Sequence, residues 1–549
     1  MLVASMATAV LPLVPLVPLV AASKVELPPQ VHHQLLHSGR PQVGLWKALL
    51  SDAQHRQASQ LRDSTAQQQT FTAASKPKYE ALCFEQPISH FDDSVNGTFC
   101  QRYWLDASSY KPGGPVYLLD GGETSGANRL EFLEKGILEI LSNATNGLSV
   151  VLEHRYYGDS VPVSSLSTDD LRFLNNAEAL EDSAYFIEHF KPPQSVMQLD
   201  EPSALHPNNT PWIYYGGSYA GARAAHMRTQ YPDLVWGAIA SSAVTHAQVV
   251  FPQYYDPIQT YGPEDCISEI QSAVIAIDAV LDMPTPISTI LKGLFGLQEL
   301  EHDDFADVVG SPLGNWQAKN WDPAIGSDEF QNFCDALTAG GAGSQIGLVR
   351  VPAEVMNYAK YIKENVVSKC PEGSSIVDCF GTHDDEKFLD AGLEQTWRLW
   401  LFQVCTQWGY FMPAPLEGPS IISKYLTIDY TSKICRQAYP PGKHFTVPDV
   451  PDVDEVNARG DYTIEADRLA FIDGDRDPWR PMTPQSDVAP RRSSTVNRPL
   501  AMIFDGVHHY DENGLRNHAL EPARIRDVHE FETSFIQEWL AQWEDRKKE

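Results

Sequence analysis

Short apolar runs ending in turn residues recur from about residue 80, separated by stretches of helical period. Pro115–Leu119 runs into Asp120-Gly-Gly-Glu123, and Leu148–Leu152 into Glu153-His-Arg-Tyr-Tyr-Gly158. Pro211–Tyr215 and Val235–Ala240 repeat the form, and Ala177–Phe190 carries a helical period between them. Strands that are apolar throughout are buried on both faces, and alternation with helices predicts a mostly parallel sheet. Between about 255 and 440 the rhythm changes: Ile267–Leu281 and Tyr358–Val367 read as helices, and the connections lengthen. The alternation resumes at Arg468–Ile472 and Pro499–Phe504. A last amphipathic helix puts Val528, Phe531, Phe535 and Trp539 on one face. An α/β sheet interrupted by a helical insertion is the simplest reading, with parts at 76–255, 256–440 and 441–549.

Ahead of these parts, residues 23–75 are polar, rich in Gln, Ser and His, with no sustained apolar period; they read as a pro-segment or N-terminal arm. His32, His33 and His37 fall at helical spacing there, but no carboxylate or cysteine pattern completes a metal site. Residues 1–22 are uncharged, and Pro12, Pro15 and Pro18 punctuate their apolar run, which is unsuited to a spanning helix. The small residues Ala21, Ala22 and Ser23 follow, and the segment reads as a signal peptide lacking the usual basic start.

Export changes how the eight cysteines are read. Their even number and the lack of any CxxC favour disulfides over zinc or redox chemistry. Proximity pairs Cys83–Cys100, Cys370–Cys379 and Cys405–Cys435, leaving Cys266–Cys334. Sequons at Asn96, Asn143 and Asn208 offer glycosylation. The expected setting is secreted, or a vacuolar or lysosomal lumen. With 41 Lys and Arg against 72 Asp and Glu, the formal charge is −31, which argues against nucleic acid or an anionic membrane as partner.

Chemistry concentrates at Tyr214-Tyr-Gly-Gly-Ser-Tyr-Ala-Gly221, which follows a strand and opens a helical stretch. A serine on a tight strand-to-helix turn with small neighbours is a nucleophile elbow. Here Gly216-x-Ser218-x-Ala220 has alanine where the last glycine is usual. An acid and then a histidine should follow at later strand ends. Asp473, Asp475 and Asp477 compete for the first role, His508 and His509 for the second. The backbone N–H of Tyr219 and one from the Gly121-Gly122 loop should form the oxyanion hole. A phosphate loop is excluded there, since neither GxGxxG nor Gly-Lys-Ser/Thr occurs.

Taken in order, several segments resemble one serine peptidase family over about residues 80–545. They are Phe84–Phe91, Gln101–Trp104, Glu153–Ser160, Gly216–Gly221, Asp477-Pro-Trp479 and Gly506-Val-His508. The family is that of lysosomal Pro-X carboxypeptidase, dipeptidyl peptidase II, thymus-specific serine protease and the fungal acid prolyl endopeptidases. Leu294–Leu297, Phe333–Ala336 and Glu417–Ser423 look most like the fungal members. The resemblance implies an α/β-hydrolase, a mostly parallel central sheet with an inserted, disulfide-bearing helical cap. It implies Ser218, Asp477 and His508 as the triad, and cleavage after proline without metal or organic cofactor. Tyr510–Arg516 is longer than the Leu-Asp-Leu-Arg that follows the histidines in animal relatives.

An apolar proline pocket would draw on cap residues such as Trp397, Trp400, Trp408 and Tyr410, for which simple cap core is an equal reading. Glu123 would bind an α-amino group, whereas a substrate carboxylate would need Arg or Lys. Expected partners are proline-containing peptides or proteins, with homodimerisation left open. An esterase or lipase, and a non-catalytic hydrolase-like binding protein, are the rival functions.

Overall fold

The computed structural model describes residues 42–66, 78–199, 201, 203–346 and 349–548. The signal segment and the histidines at 32, 33 and 37 lie outside these. The core is an eight-stranded sheet: β1 (Leu82–Pro87), β2 (Thr98–Asp106), β3 (Val116–Asp120), β4 (Leu148–Leu152), β5 (Trp212–Gly217), β6 (Gly237–Ser241), β7 (Leu469–Gly474) and β8 (Leu500–Ile503). Their order across the sheet is β1-β2-β4-β3-β5-β6-β7-β8. β2 pairs antiparallel with β1 and β4, and every other pair is parallel.

Pleating sends alternate side chains of the central strands into two cores. Tyr117, Leu119, Ile213 and Tyr215 join the cluster that continues under the insertion, while Val116, Leu118, Trp212 and Tyr214 join a second cluster on the opposite face. That two-sided burial is why these strands are apolar throughout. Helices α1 (Val43–Ala66), α2 (Ile137–Thr145), α3 (Asn176–His189), α4 (Tyr219–Gln230), α5 (Trp397–Gln403) and α6 (Ala523–Arg546) are the ones used below.

Parallel strand order, crossover helices and a helical insertion between β6 and β7 make this an α/β-hydrolase fold with a cap. The insertion is fastened by Cys266–Cys334, Cys370–Cys379 and Cys405–Cys435, and Cys83–Cys100 crosses β1 and β2. A short parallel pair, Gln248–Val250 with Gly409–Phe411, ties the end of the cap back to the loop after β6. Asn96, Asn143 and Asn208 are all exposed. Among the described residues no helix is long and apolar enough to cross a membrane.

The structure differs from the sequence reading in the polar stretch before residue 75. α1 occupies much of it and buries Val43, Leu45, Trp46 and Leu50 in the main core. Its Gly44 lies so close to the cap that a Cβ would sit 2.2 Å from the Asp378 carbonyl.

Candidate active site

β5 runs fully buried into Gly216-Gly217, and the chain then turns through Ser218 at φ +60°, ψ −122° before α4 begins at Tyr219. A non-glycine residue held there costs about 1–3 kcal/mol and persists only where its surroundings enforce it. The Ser218 N–H donates to the Ser241 carbonyl on β6 (2.9 Å), and its own carbonyl accepts from Ala222 N (3.0 Å). Side chains on the flanking glycines would not fit: a Cβ on Gly216 would lie 2.0 Å from the Ala220 carbonyl, and one on Gly221 2.6 Å from that of Ser241. The unusual Ala220 is accommodated, its methyl 3.4 Å from the Cβ position of Gly122. Ser218 remains partly exposed at the top of this turn.

β7 and β8 deliver an aspartate and a histidine to the same end of the sheet. His508 Nδ1 and Asp477 Oδ2 are 2.8 Å apart, both side chains being buried. Asp477 Oδ1 accepts from the Trp479 N–H (2.8 Å). Burial works against the Asp477 charge, but His508, that N–H and the Ser242 hydroxyl outweigh it and hold its pKa below the usual range. An ionised carboxylate only accepts, so Nδ1 is the donor and the neutral imidazole keeps its lone pair on Nε2. Nε2 is buried and has no hydrogen-bond partner among the described residues. Burial depresses the His508 pKa despite the pull of Asp477.

The neighbouring candidates fall elsewhere. Asp473 is buried against Gln485 (2.7 Å), and burial pushes its carboxyl up to about 8, leaving it a neutral acid at acidic pH. Asp475 lies beside Arg476 and Asp505. His509 donates its backbone N–H to Ser242 Oγ (2.9 Å), and its Nδ1 lies 2.8 Å from Glu512 Oε2. The ring's Cγ is 3.4 Å from the Cβ position of Gly217, so the histidine loop packs directly on the elbow.

Gly122 takes φ +65° in the loop after β3, but its N–H donates to Asp120 Oδ1 at 3.0 Å. Asp120 is in turn fixed by Arg223 Nε (2.6 Å) and the Tyr214 hydroxyl (2.7 Å). The Gly122 N–H is thus engaged by Asp120, and no hydrogen bond from the next N–H, on Glu123, occurs among the described residues. Glu123 itself has a buried Oε2 without a hydrogen bond, and its charge acts on both His508 and Tyr157.

Aromatic side chains cluster behind Tyr219 and Trp479, with Trp408, Tyr410 and Phe251 fully buried. The Tyr219 ring lies 5.3 Å from Trp400 and 5.1 Å from Trp408, and its hydroxyl is 3.0 Å from His154 Nε2. On the His508 side, Trp479 packs on Tyr410 (5.1 Å) and Phe251 (5.4 Å) and lies 6.5 Å from the His508 ring. Trp397 is not brought here: it packs on Phe388, and its indole donates to Gln395 (3.0 Å) within the cap.

Sequence reasoning missed Tyr157, Gln403 and Phe251. The Tyr157 hydroxyl donates to Gln403 Oε1 (2.8 Å) on α5, joining the sheet to the cap. The Glu153–Gly158 motif offered a signal for Tyr157. Its other members brace the sheet, Glu153 holding Arg102 and Arg155 holding Asp182 on α3 (2.6 Å).

Residues 86–525 match the family described as Serine carboxypeptidase S28. A "Probable extracellular serine carboxypeptidase" of Arthroderma benhamiae is 38% identical over 523 residues, covering 88% of this chain and 71% of that protein. "Serine protease vicPa" of Bipolaris victoriae is 27% identical, covering 83% and 88% respectively. The human "Thymus-specific serine protease" is 26% identical, covering 79% and 82%. A proline iminopeptidase structure from Mycobacterium smegmatis overlaps 84% of this chain and 100% of its own, at 11% identity and a TM-score of 0.35. With the family's match running from β1 to the start of α6, the chain belongs to the serine carboxypeptidase S28 family of serine peptidases.

Proposed function

We propose that the protein is a secreted serine peptidase that cleaves on the C-terminal side of proline through Ser218, His508 and Asp477. The observation that carries the reading is the strained Ser218 turn beneath a histidine loop whose buried His508–Asp477 pair leaves Nε2 open. Ser218 Oγ attacks the scissile carbonyl, and its proton passes to His508 Nε2, while Asp477 holds the ring and stabilises the imidazolium. The tetrahedral oxyanion is received by the N–H groups of Tyr219 and Glu123. His508 then gives the proton to the departing amine, and water releases the acyl-enzyme by the same route. These steps call on protein groups alone.

Proline specificity is supported by the aromatic clusters. The tertiary amide nitrogen of a proline residue carries no N–H, so selection must rest on apolar contact, and Trp400 and Trp479, backed by the fully buried Trp408, Tyr410 and Phe251, supply flat apolar faces. Four disulfides, three exposed sequons and the printed name of the Arthroderma relative support an extracellular or luminal setting. The test is kcat/KM on p-nitroanilides differing only in Pro or Ala at the cleaved position, alongside a short acyl ester. Preference for proline of at least about tenfold is expected, from the 1–3 kcal/mol that a fitted apolar pocket discriminates. Equal rates on both anilides, or turnover of the ester alone, would replace the reading with a general hydrolase.

A further inference from the structure

Arg129 closes the short turn that follows the oxyanion loop, and its guanidinium lies between that loop and the histidine loop. Its Nε donates to the Gly121 carbonyl (3.3 Å), Nη2 lies 3.9 Å from the Cβ position of Gly122, and Nη1 is 3.9 Å from Glu512 Oε2. The last separation is beyond a hydrogen bond, and Glu512 is engaged more closely by His509 at 2.8 Å. The Arg129 side chain is 22% exposed, so an anion from solvent can reach it. The cation thus spans from the oxyanion loop to Glu512, the carboxylate that His509 meets, and the His509 ring is in turn 4.3 Å from that of His508.

The histidine side of the oxyanion loop has a chemical meaning. The base returns its proton to the leaving amine, so the leaving group sits toward His508 while the carbonyl oxygen sits in the loop. When the leaving group is one terminal amino acid, its α-carboxylate is two bonds from the departing nitrogen. A molecule of charge −31 repels such an anion, so a cation at the site must offset the field locally. A planar guanidinium can meet a carboxylate through two parallel N–H donors. Glu123 offers the opposite charge on the same loop, and would instead attract a free α-amine on the acyl side.

We propose that Arg129 binds the α-carboxylate of a one-residue leaving group, which sets the enzyme to release a single C-terminal residue after proline. This rests on the prolyl-peptidase reading above. The experiment compares kcat/KM on N-blocked acyl-Pro-Phe carrying a free carboxylate with its C-terminal amide, in wild type, Arg129→Gln and Arg129→Lys. Fluorophosphonate labelling of Ser218 reports that each variant is folded. The expected wild-type ratio of free acid to amide is about tenfold or more, from the strength of charge-assisted hydrogen bonds. It falls to about one in Arg129→Gln, stays intermediate in Arg129→Lys, and shrinks with added salt. Should Arg129→Gln fail to label, the Arg129→Lys ratio decides: an intermediate value supports the proposal, and an unchanged one overturns it. A wild-type ratio near one, or a ratio that survives Arg129→Gln, overturns it as well. So does a preference for unblocked N-termini that Glu123→Gln removes. Cleavage of the proline amide but not its alanine analogue, without acid preference, would sink this inference and leave the prolyl reading standing.

Discussion

Ser218 is the residue on which the proposed chemistry turns, and its replacement by alanine removes only an oxygen from a site whose backbone is set by β5, β6 and α4. Ser218→Ala is therefore expected to fold and to lose hydrolysis by about 10⁴-fold or more. Steady-state rates beside a circular-dichroism spectrum check both halves, and activity within tenfold of wild type would refute the role. His508→Ala should match that loss. His509→Ala should fall much less, because its ring meets Glu512 rather than Asp477. The pH profile follows from the same residue. The buried His508 has its pKa lowered, so the neutral base persists below the ordinary imidazole value of 6.5. The acidic limb of kcat/KM should lie below that value, with an optimum between about pH 4 and 6. An optimum at pH 7.5 or above would mean that Asp477 outweighs burial. Chain order alone left three aspartates and two histidines in contention, of which Asp477 and His508 lie 2.8 Å apart. Glu512 and Arg129 were illegible, because they lie on loops and short turns whose course no periodicity announces.

The elbow as an element depends on backbone approaching backbone. Gly216→Ala would press a methyl to 2.0 Å from the Ala220 carbonyl, which no side-chain rotation relieves. It should abolish fluorophosphonate labelling and lower Tm by more than the roughly 2–4 °C that about 1 kcal/mol produces in a domain of about 150–250 residues. Labelling at the wild-type rate would show that the turn can open. α1 gives a contrasting case. Truncating its buried Trp46 should cost about 3–5 kcal/mol of docking. Faster limited proteolysis before residue 78, with Ser218 labelling unchanged, is the expected outcome; protection equal to wild type would contradict it. The sheet's central strands were legible because burial on both faces writes an uninterrupted apolar run. α1 was not: the core residues Val43, Leu45, Trp46 and Leu50 are followed by a Gln-rich stretch that dilutes the period. β1 and β2 were missed for a related reason: β1 alternates half-exposed positions and carries no apolar run.

Across the whole molecule, buried carboxyls set how stability follows pH. Asp473, Asp511 and Glu532 have raised pKa values, burial being the first cause in each. They hold protons in the fold that the unfolded chain releases above about pH 4. Their contribution is full below that value and is lost as pH rises, from about 4 to about 8 for Asp473. Each can steepen the decline by at most about 1.4 kcal/mol per pH unit. Asp477 and Glu512, with lowered values, act oppositely and lose their contribution as pH falls below about 4. Thermal unfolding should accordingly peak between about pH 4 and 6, and Asp473→Asn should flatten the decline toward pH 8. A Tm that rises steadily to pH 8 would contradict this. The same acidic range then serves fold and base together. The decisive measurement is peptide mapping after fluorophosphonate treatment at pH 5. One adduct, on Ser218, that is lost in His508→Ala is the expected result. Modification of another serine, or labelling indifferent to His508, would contradict the proposed catalytic centre.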